Sequence, residues 1–373
     1  MRVLHVHSGN IYGGIETMLL TQVCQRNSVP ALESSFALCF AGRLSEALTA
    51  AGATVHQLGQ VRIRQPLSVW RARRNLRDLL RRQSYDVVVT HSPWSQALFG
   101  PVARAAAVPL AFYLHGAAHG RHWLERWAGR TLPDLALCNS KFTATTLPRL
   151  YPRARAEIVY YPVAPPALYS GADREAARAE LRTPKEATVI IQASRMEVGK
   201  GHALHLEALS LLRDLPDWVC WQVGGAQGSG ERRYMEGLKE MAARLGIAER
   251  VRFLGQRSDV ARLLAASDIF CQPNTGPDSF GISFIEALHA QLPVITPPIG
   301  GAREIVENSC GVLVLRGDAP SLAAALRGLI EDRALRAKLG AAGPARARQL
   351  CDPAAQMNLL HDTLKRIIQA RNS

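Results

Sequence analysis

The sequence has no apolar run approaching the roughly 18 to 20 residues that a membrane-spanning helix needs. Its seven cysteines, at 24, 39, 138, 220, 271, 310 and 351, are scattered, odd in number and without a C-x-x-C pair. They read as reduced packing residues of a cytosolic protein rather than a disulfide framework. The apolar residues from Val3 to Val6, with His5 among them, give way at once to Ser8 and Gly9. That stretch is expected as a buried strand, being too short and too interrupted for the apolar core of a secretion signal. Acidic residues are also in short supply: 31 Asp and Glu stand against 45 Lys and Arg, for a net charge of +14. Most of the deficit lies in residues 1–165, with 19 Lys/Arg against 8 Asp/Glu, so the first half is the cationic partner surface. No nucleic-acid-binding motif or aromatic platform accompanies these cations, which argues against nucleic acid as the partner.

The composition that remains, 47% hydrophobic and 20% charged, is that of an ordinary soluble globular protein. At 373 residues it exceeds the limit of about 250 to 300 for a single core, so two domains are expected. Much of the positive charge falls in Trp70 to Arg82, where Val69, Ala72, Leu76, Leu79 and Leu80 recur at helical spacing. Arginines 71, 73, 74, 77, 81 and 82 then occupy the other faces. Such a helix either rests on anionic lipid headgroups or presents a solvated face.

Short apolar runs alternate with helical patterns throughout, which predicts α/β units with parallel sheets. Strands are expected at 3–7, 35–40, 54–58, 86–90, 110–114 and 135–138, and again at 188–193, 219–223, 251–254, 269–272, 293–296 and 311–315. Ligands of such sheets bind beyond the carboxyl ends of the strands, so the segments 8–16, 91–94 and 115–119 should converge on one edge. Three prolines in residues 160–171 mark the joint between the two series. The last helix, 354–371, follows Asp352 and Pro353 as N-cap and first residue.

Asp278 and Glu286 stand eight residues apart across a turn containing Gly281 that opens a helix. Exposed N–H groups at a helix start favour an anionic ligand, so a phosphate-bearing, hydroxyl-rich molecule suits this place. The amides of Ser279, Phe280, Gly281 and Ile282 are available to such a ligand, and Gly281 permits close approach. A carboxylate at Glu286, amid Ile285, Ala287 and Leu288, is costly to bury without a partner, which sugar hydroxyls would supply. Arg195 and Lys200 fall between an expected strand and a helix starting near His202, where, taken alone, they read as ordinary surface cations.

In order and spacing, G-G-I-E (Gly13, Gly14 and Glu16), H-G (His115 and Gly116), S-R-M-E-V-G-K-G (194–201) and D-S-F-G-I-S-F-I-E (278–286) resemble the glycosyltransferase family 4 enzymes. The resemblance covers nearly the whole chain. It implies the GT-B fold: two Rossmann-like, doubly wound α/β domains facing across a cleft, with residues 1–165 binding the acceptor, 166–353 binding the donor, and the helix at 354–373 crossing back to the first domain. It further implies retaining transfer of a sugar from a nucleoside-diphosphate sugar, UDP- or GDP-linked, with no metal and no other cofactor. Arg195 and Lys200 would hold the diphosphate, Glu286 the ribose, Asp278 the transferred sugar, and His115 with Gly116 the region of the reacting carbon. Gly13 and Gly14 would let backbone meet the diphosphate or the acceptor, and Gly255 would lie by the base. Glu16 and His91 are candidates for the acceptor side; a polar residue satisfied at a strand end accounts equally for His91.

The family usually places glutamate where this chain has Asp278, and the shorter side chain loses about 1.5 Å of reach. A zinc site built on His115, His119 and His122 lacks a suitable carboxylate arrangement. The glycines at 224, 225, 228 and 230 fit a loop after a strand better than a dinucleotide fingerprint, and Gly300 and Gly301 most simply serve a tight turn. The expected role is surface polysaccharide or lipopolysaccharide assembly at the inner face of a membrane, on a saccharide or lipid-linked acceptor. A sugar-nucleotide epimerase or hydrolase of the same architecture, or a non-catalytic sugar-nucleotide-binding scaffold, are the alternatives.

Overall fold

The computed structural model describes residues 1–10, 13–226 and 228–372, with backbone alone for 371 and 372. It divides into two compact units, Met1–Ala164 with Cys351–Ser373, and Pro165–Leu350. The first holds β1 (Arg2–His7), β2 (Glu33–Leu38), β3 (Thr54–Gln57), β4 (Val87–His91), β5 (Leu110–Leu114), β6 (Leu135–Cys138) and β7 (Ala156–Ile158). These form one parallel sheet in the order β3-β2-β1-β4-β5-β6-β7. The second holds β8 (Thr188–Ala193), β9 (Trp218–Val223), β10 (Val251–Gly255), β11 (Ile269–Cys271), β12 (Val294–Thr296) and β13 (Gly311–Leu313). They too run parallel, in the order β10-β9-β8-β11-β12-β13.

The central strands of both sheets read as continuous apolar runs, as expected of parallel sheets buried on both faces. Every residue of β4, β5, β8 and β9 is buried. In each unit the strand order reverses once, between β1 and β4 and between β8 and β11, and ligands of doubly wound sheets sit beyond the carboxyl ends at that reversal.

β5, β6 and β8 fall on their expected residues, and most other strands shift by one or two. β7 was not anticipated: A-E-I carries no apolar run, and only its pairing with β6 makes it a strand. The final strand stops at Leu313 rather than 315. The segment 91–94, expected beyond the end of a strand, comprises the last residue of β4 and the start of a helix, Ser92–Ala105. Of the segment 8–16, residues 11 and 12 lie outside the described residues.

The arginine-rich helix runs from Pro66 to Arg82 and buries Ala72 and Leu76. Arg71, Arg74, Arg77, Arg81 and Arg82 are exposed, as are Leu67 and Trp70. Arg73 departs from the expected surface position. Its guanidinium turns inward to donate to the carbonyls of Leu98 (2.7 Å) and Ala97 (3.2 Å) at the neighbouring helix. The last helix, Pro353–Asn372, is capped by Asp352 Oδ1, which accepts from Ala355 N at 2.8 Å. It belongs to the first unit, where Met357, Leu360 and Leu364 are buried. The chain leaves the first unit and returns to it at adjacent points, joined by Val163 N donating to Cys351 O at 3.0 Å.

Candidate functional site

In the second unit, β8 ends at Ala193 and the chain passes through Arg195 to a short 3-10 turn, Val198–Lys200, before the helix His202–Ser210. β11 ends at Cys271, and the loop after it carries Asp278 to the helix Ile282–His289. These loops leave the two strands flanking the reversal, and their side chains meet: Lys200 Nζ donates to Asp278 Oδ2 at 2.6 Å. Arg195 is half-exposed, bonded to Glu197 and 3.9 Å from Glu231. Arg195 and Lys200 are thus both paired with carboxylates on the rim where the family resemblance implies a diphosphate.

Glycine contacts fix this rim. Gly201 has φ of +75°, and a Cβ there would stand 1.8 Å from Pro273 O, in the loop bearing Asp278. Thr275 N and Gly276 N both donate to Gly199 O at 3.0 Å, fastening the same two loops. Gly300 and Gly301 do more than make a turn. Gly301 N donates to Asp278 O at 2.8 Å, and a Cβ on Gly300 would lie 2.2 Å from that oxygen. Gly224 packs as closely on Ser194 O, at 1.8 Å for a built Cβ, and its N–H donates to Gly255 O at 2.9 Å. The carboxyl ends of β8, β9 and β10 are therefore brought together by backbone, and Gly255 lies among them. The sequence reading missed these roles, because such contacts join residues far apart in the chain.

Gly281 has φ of +105° and caps the Ile282–His289 helix, so left-handed backbone is needed at that position. Phe280 is buried, and its carbonyl packs against the Gly301 turn, where a built Cβ would lie 2.4 Å from it. Ser279 and Ile282 are half-buried on either side of that turn. Glu286 sits one turn into the helix between buried Ile285 and Ala287. Its carboxylate has no hydrogen-bond or ion-pair partner among the described residues, and burial pushes its pKa above the usual carboxyl range. A raised pKa in the folded state means that ionised Glu286 costs stability above the ordinary carboxyl pKa, and costs nothing once both states are protonated. Glu286→Gln is therefore expected to melt higher than the parent at pH 7, with the gap closing below about pH 4. Paired thermal melts at the two pH values check this.

In the first unit, Gly13 precedes the Gly14–Cys24 helix and donates its N–H to Glu16 Oε2 at 2.8 Å. Glu16 Oε1 is 2.6 Å from His7 Nε2 at the end of β1. Both oxygens of Glu16 are thus engaged inside the unit, and the residue is buried. His91, at the end of β4, is also buried, with its ring nitrogens bonded to His5 and His115. It is the polar residue satisfied at a strand end that the sequence left open. His115 follows β5; its Nε2 meets His91 Nδ1 at 2.8 Å and its Nδ1 meets Tyr161 Oη at 2.6 Å. Its ring is fully occupied, while Gly116 beside it is exposed with open space on its Cβ side. His122 Nδ1 accepts from Leu124 N at the start of a helix, and the backbone N–H of His119 donates to Glu125 Oε1. Among the described residues, no group of three His, Cys, Asp or Glu is placed to hold a metal ion.

Two parallel sheets with the same strand order define the chain as GT-B in fold. Residues 35–165 match the family model described as Glycosyltransferase Family 4, and residues 173–346 match Glycosyl transferases group 1. The chain belongs to this glycosyltransferase family. It is 34% identical over 220 residues to a D-inositol 3-phosphate glycosyltransferase of Streptomyces avermitilis, covering 56% of this chain and 47% of that protein. It is 32% identical over 165 residues to a phosphatidyl-myo-inositol mannosyltransferase of Mycobacterium leprae, covering 43% and 42%. The chain thus spans somewhat less than half the length of these two curated relatives. Among solved structures, Anabaena HepE in complex with UDP-glucose superposes with a TM-score of 0.86 at 24% identity, covering 98% of this chain and 99% of that one. A glycosyltransferase from Rickettsia africae gives 0.86 at 21% identity, with 98% of each chain covered.

Proposed function

We propose that this protein is a retaining glycosyltransferase that moves a sugar from a nucleoside diphosphate, UDP or GDP, to an acceptor hydroxyl in surface polysaccharide or lipopolysaccharide assembly. The observation that carries the reading is the rim of the second unit: two cations on one edge and an unpartnered carboxylate on the adjoining helix. Arg195 and Lys200 take the donor diphosphate, and the hydroxyls of the ribose give Glu286 the partner it lacks. Asp278 reaches the transferred sugar, and the Ser279–Ile282 backbone takes donor oxygens. Family membership supports this assignment, and HepE, whose fold the chain shares, has been solved with UDP and with UDP-glucose.

Bond breaking at the anomeric carbon places negative charge on the leaving phosphate, which the two cations stabilise. The acceptor attacks from the same face, its proton passing to the departing phosphate, so the protein needs neither a nucleophile nor a metal. Its contribution is orientation and charge stabilisation. A thermal-shift panel of UDP-, GDP-, ADP- and dTDP-sugars, repeated on Lys200→Ala, tests the reading. One nucleotide class should raise the melting temperature of the parent and leave the variant unmoved; a flat response to all four would remove the main support.

The acceptor is taken to be a saccharide or lipid-linked saccharide offered at an anionic membrane surface. What supports this is the exposed face of the Pro66–Arg82 helix, which sets five arginines beside Leu67 and Trp70. The protein is expected to float with anionic vesicles at low salt and to be released as salt rises. A pellet fraction free of lipid under both conditions would argue for a soluble acceptor.

A further inference from the structure

The amino edge of the second sheet, at the opposite ends of its strands from the rim of Arg195 and Asp278, holds a cavity of about 410 Å³. β8 begins there at Thr188, and Asp268 stands just before β11. β8 is six residues long, so its two ends lie about 17 Å apart. Five cations line the cavity: Arg174 and Arg178 from the helix Gly171–Glu180, Lys185, and Arg333 and Arg336 from the helix Arg333–Cys351. Three acids face them: Asp268, Glu175 and Glu186.

The acids are not shared evenly. Asp268 accepts from Arg174 at 2.6 Å, from Arg178 at 2.5 Å and from Val189 N at 2.7 Å, and Glu175 lies 3.5 Å from Lys185. Arg178 gives its other donors to the carbonyls of Ala266, Lys185 and Ala187, so its part is to tie the cavity wall together. Arg336 bonds through Nη1 to the carbonyls of Leu329 and Ile330 and has no ion pair among the described residues. Arg333 is exposed and has neither hydrogen bond nor ion pair among them. These two arginines stand three residues apart, on one face of the first turn of their helix, and that turn holds no acid. The first turn is the positive end of a helix, where cations cost stability and an anion restores it. Asp332 and Asp173, at the starts of the two helices, do not line the cavity. Asp332 Oδ1 accepts from Leu335 N, and Asp173 Oδ2 from Ser170 N.

We propose that this cavity binds a phosphate group, as the free ion or as a phosphomonoester, between the guanidinium groups of Arg333 and Arg336. A dianion matches the two unpaired cations in charge, and its oxygens suit the planar forks of guanidinium donors. The volume falls within the range of about 300 to 1,000 Å³ usual for small-molecule pockets, so the phosphate has room to carry an organic group. Bound there, it joins the start of the Arg333–Cys351 helix to the amino ends of β8 and β11. The site is separate from the donor rim and does not rest on the proposed function.

Melting of the full chain in sodium phosphate, against sodium chloride of equal ionic strength, tests the site. At about ten times its dissociation constant, phosphate should shift the folding equilibrium about tenfold, a rise of roughly 4 °C. Arg333→Ala and Arg333→Glu should lose that rise, and Arg336→Lys, which keeps the charge without the fork, should weaken phosphate binding about tenfold. A rise that persisted in the Arg333 variants would be the general effect of a kosmotropic salt and would overturn the proposal. In chloride alone Arg333→Ala should melt no lower than the parent, since it removes a cation from a positive helix end; a lower melt in both buffers would show a structural role instead and overturn it as well. Lys200→Ala should keep the rise. Its loss there, with Arg333→Ala unaffected, would place the anion on the donor rim and overturn the site without touching the transferase reading. Glycerol 3-phosphate acting at a tenfold lower concentration than inorganic phosphate would assign the site to a phosphomonoester, and equal action to the free ion. No response to either would overturn the proposal.

Discussion

Lowering the pH from 7 to 5 is expected to cost folding stability in both units, on the order of 2 kcal/mol for each deeply buried neutral histidine. The cause is buried neutral histidine. Burial lowers the pKa of His5 and His205 to about 3 and that of His202 to about 4, against about 6.5 in the unfolded chain. A depressed folded-state pKa means that the unfolded chain takes up protons first, so the stability is fully present above pH 6.5 and is lost on the way down towards the folded values. Each of the three loses about 2 kcal/mol by pH 5. His91 and His115 act in the same direction, while Glu286 opposes, because protonation relieves its burial. Urea midpoints at the two pH values measure the sum. A midpoint that did not move would show that these imidazoles are hydrated or charged in the folded protein. Since His5, His91 and His115 lie in the first unit and His202 and His205 in the second, both units should weaken together.

Asp278→Asn and Lys200→Ala are expected to move nucleotide affinity in opposite directions while both reduce transfer. In the ligand-free rim Lys200 is already paired with Asp278 at 2.6 Å, so a diphosphate must share or displace that carboxylate. Removing the negative charge frees the ammonium, and UDP or GDP should bind about tenfold tighter. On the proposed function transfer should nevertheless fall, because the group proposed to reach the sugar has lost its charge. Lys200→Ala loses a charge interaction of roughly 4 kcal/mol before desolvation is subtracted, and transfer should slow by about two to three powers of ten. Calorimetric titration of the nucleoside diphosphate, beside initial rates, separates the two effects. If Asp278→Asn weakened nucleotide binding, Asp278 would be holding Lys200 in place for the phosphate rather than competing with it. Asp278→Glu should keep transfer.

The sheets were readable because apolar strands alternate with amphipathic helices, a local pattern. Arg195, Lys200 and Glu286 stood out because charge beside a strand end or within an apolar helical turn is conspicuous, and the roles expected of them came from the family resemblance. Gly300 and Gly301 were not, since their reason is the backbone at Asp278, in another loop. The contacts among His5, His91, His115 and Tyr161 escaped for the same cause. His5 and His91 are 86 positions apart, and His115 and Tyr161 are 46, so neither periodicity nor motif spacing joins them. Nor did the G-G-I-E motif disclose that Glu16 turns inward to His7, where its task is to brace the glycine turn.

The return of the chain to its first unit bears on how the protein matures during synthesis. Pro165–Leu350 is one uninterrupted segment, whereas the first unit needs Cys351 and the helix after it, with Leu360 and Leu364 buried. Although its strands emerge earliest from the ribosome, the first unit is therefore completed last. Until the final helix is released, the surface it covers stays open, and a chaperone or a misfolding partner has its longest opportunity there.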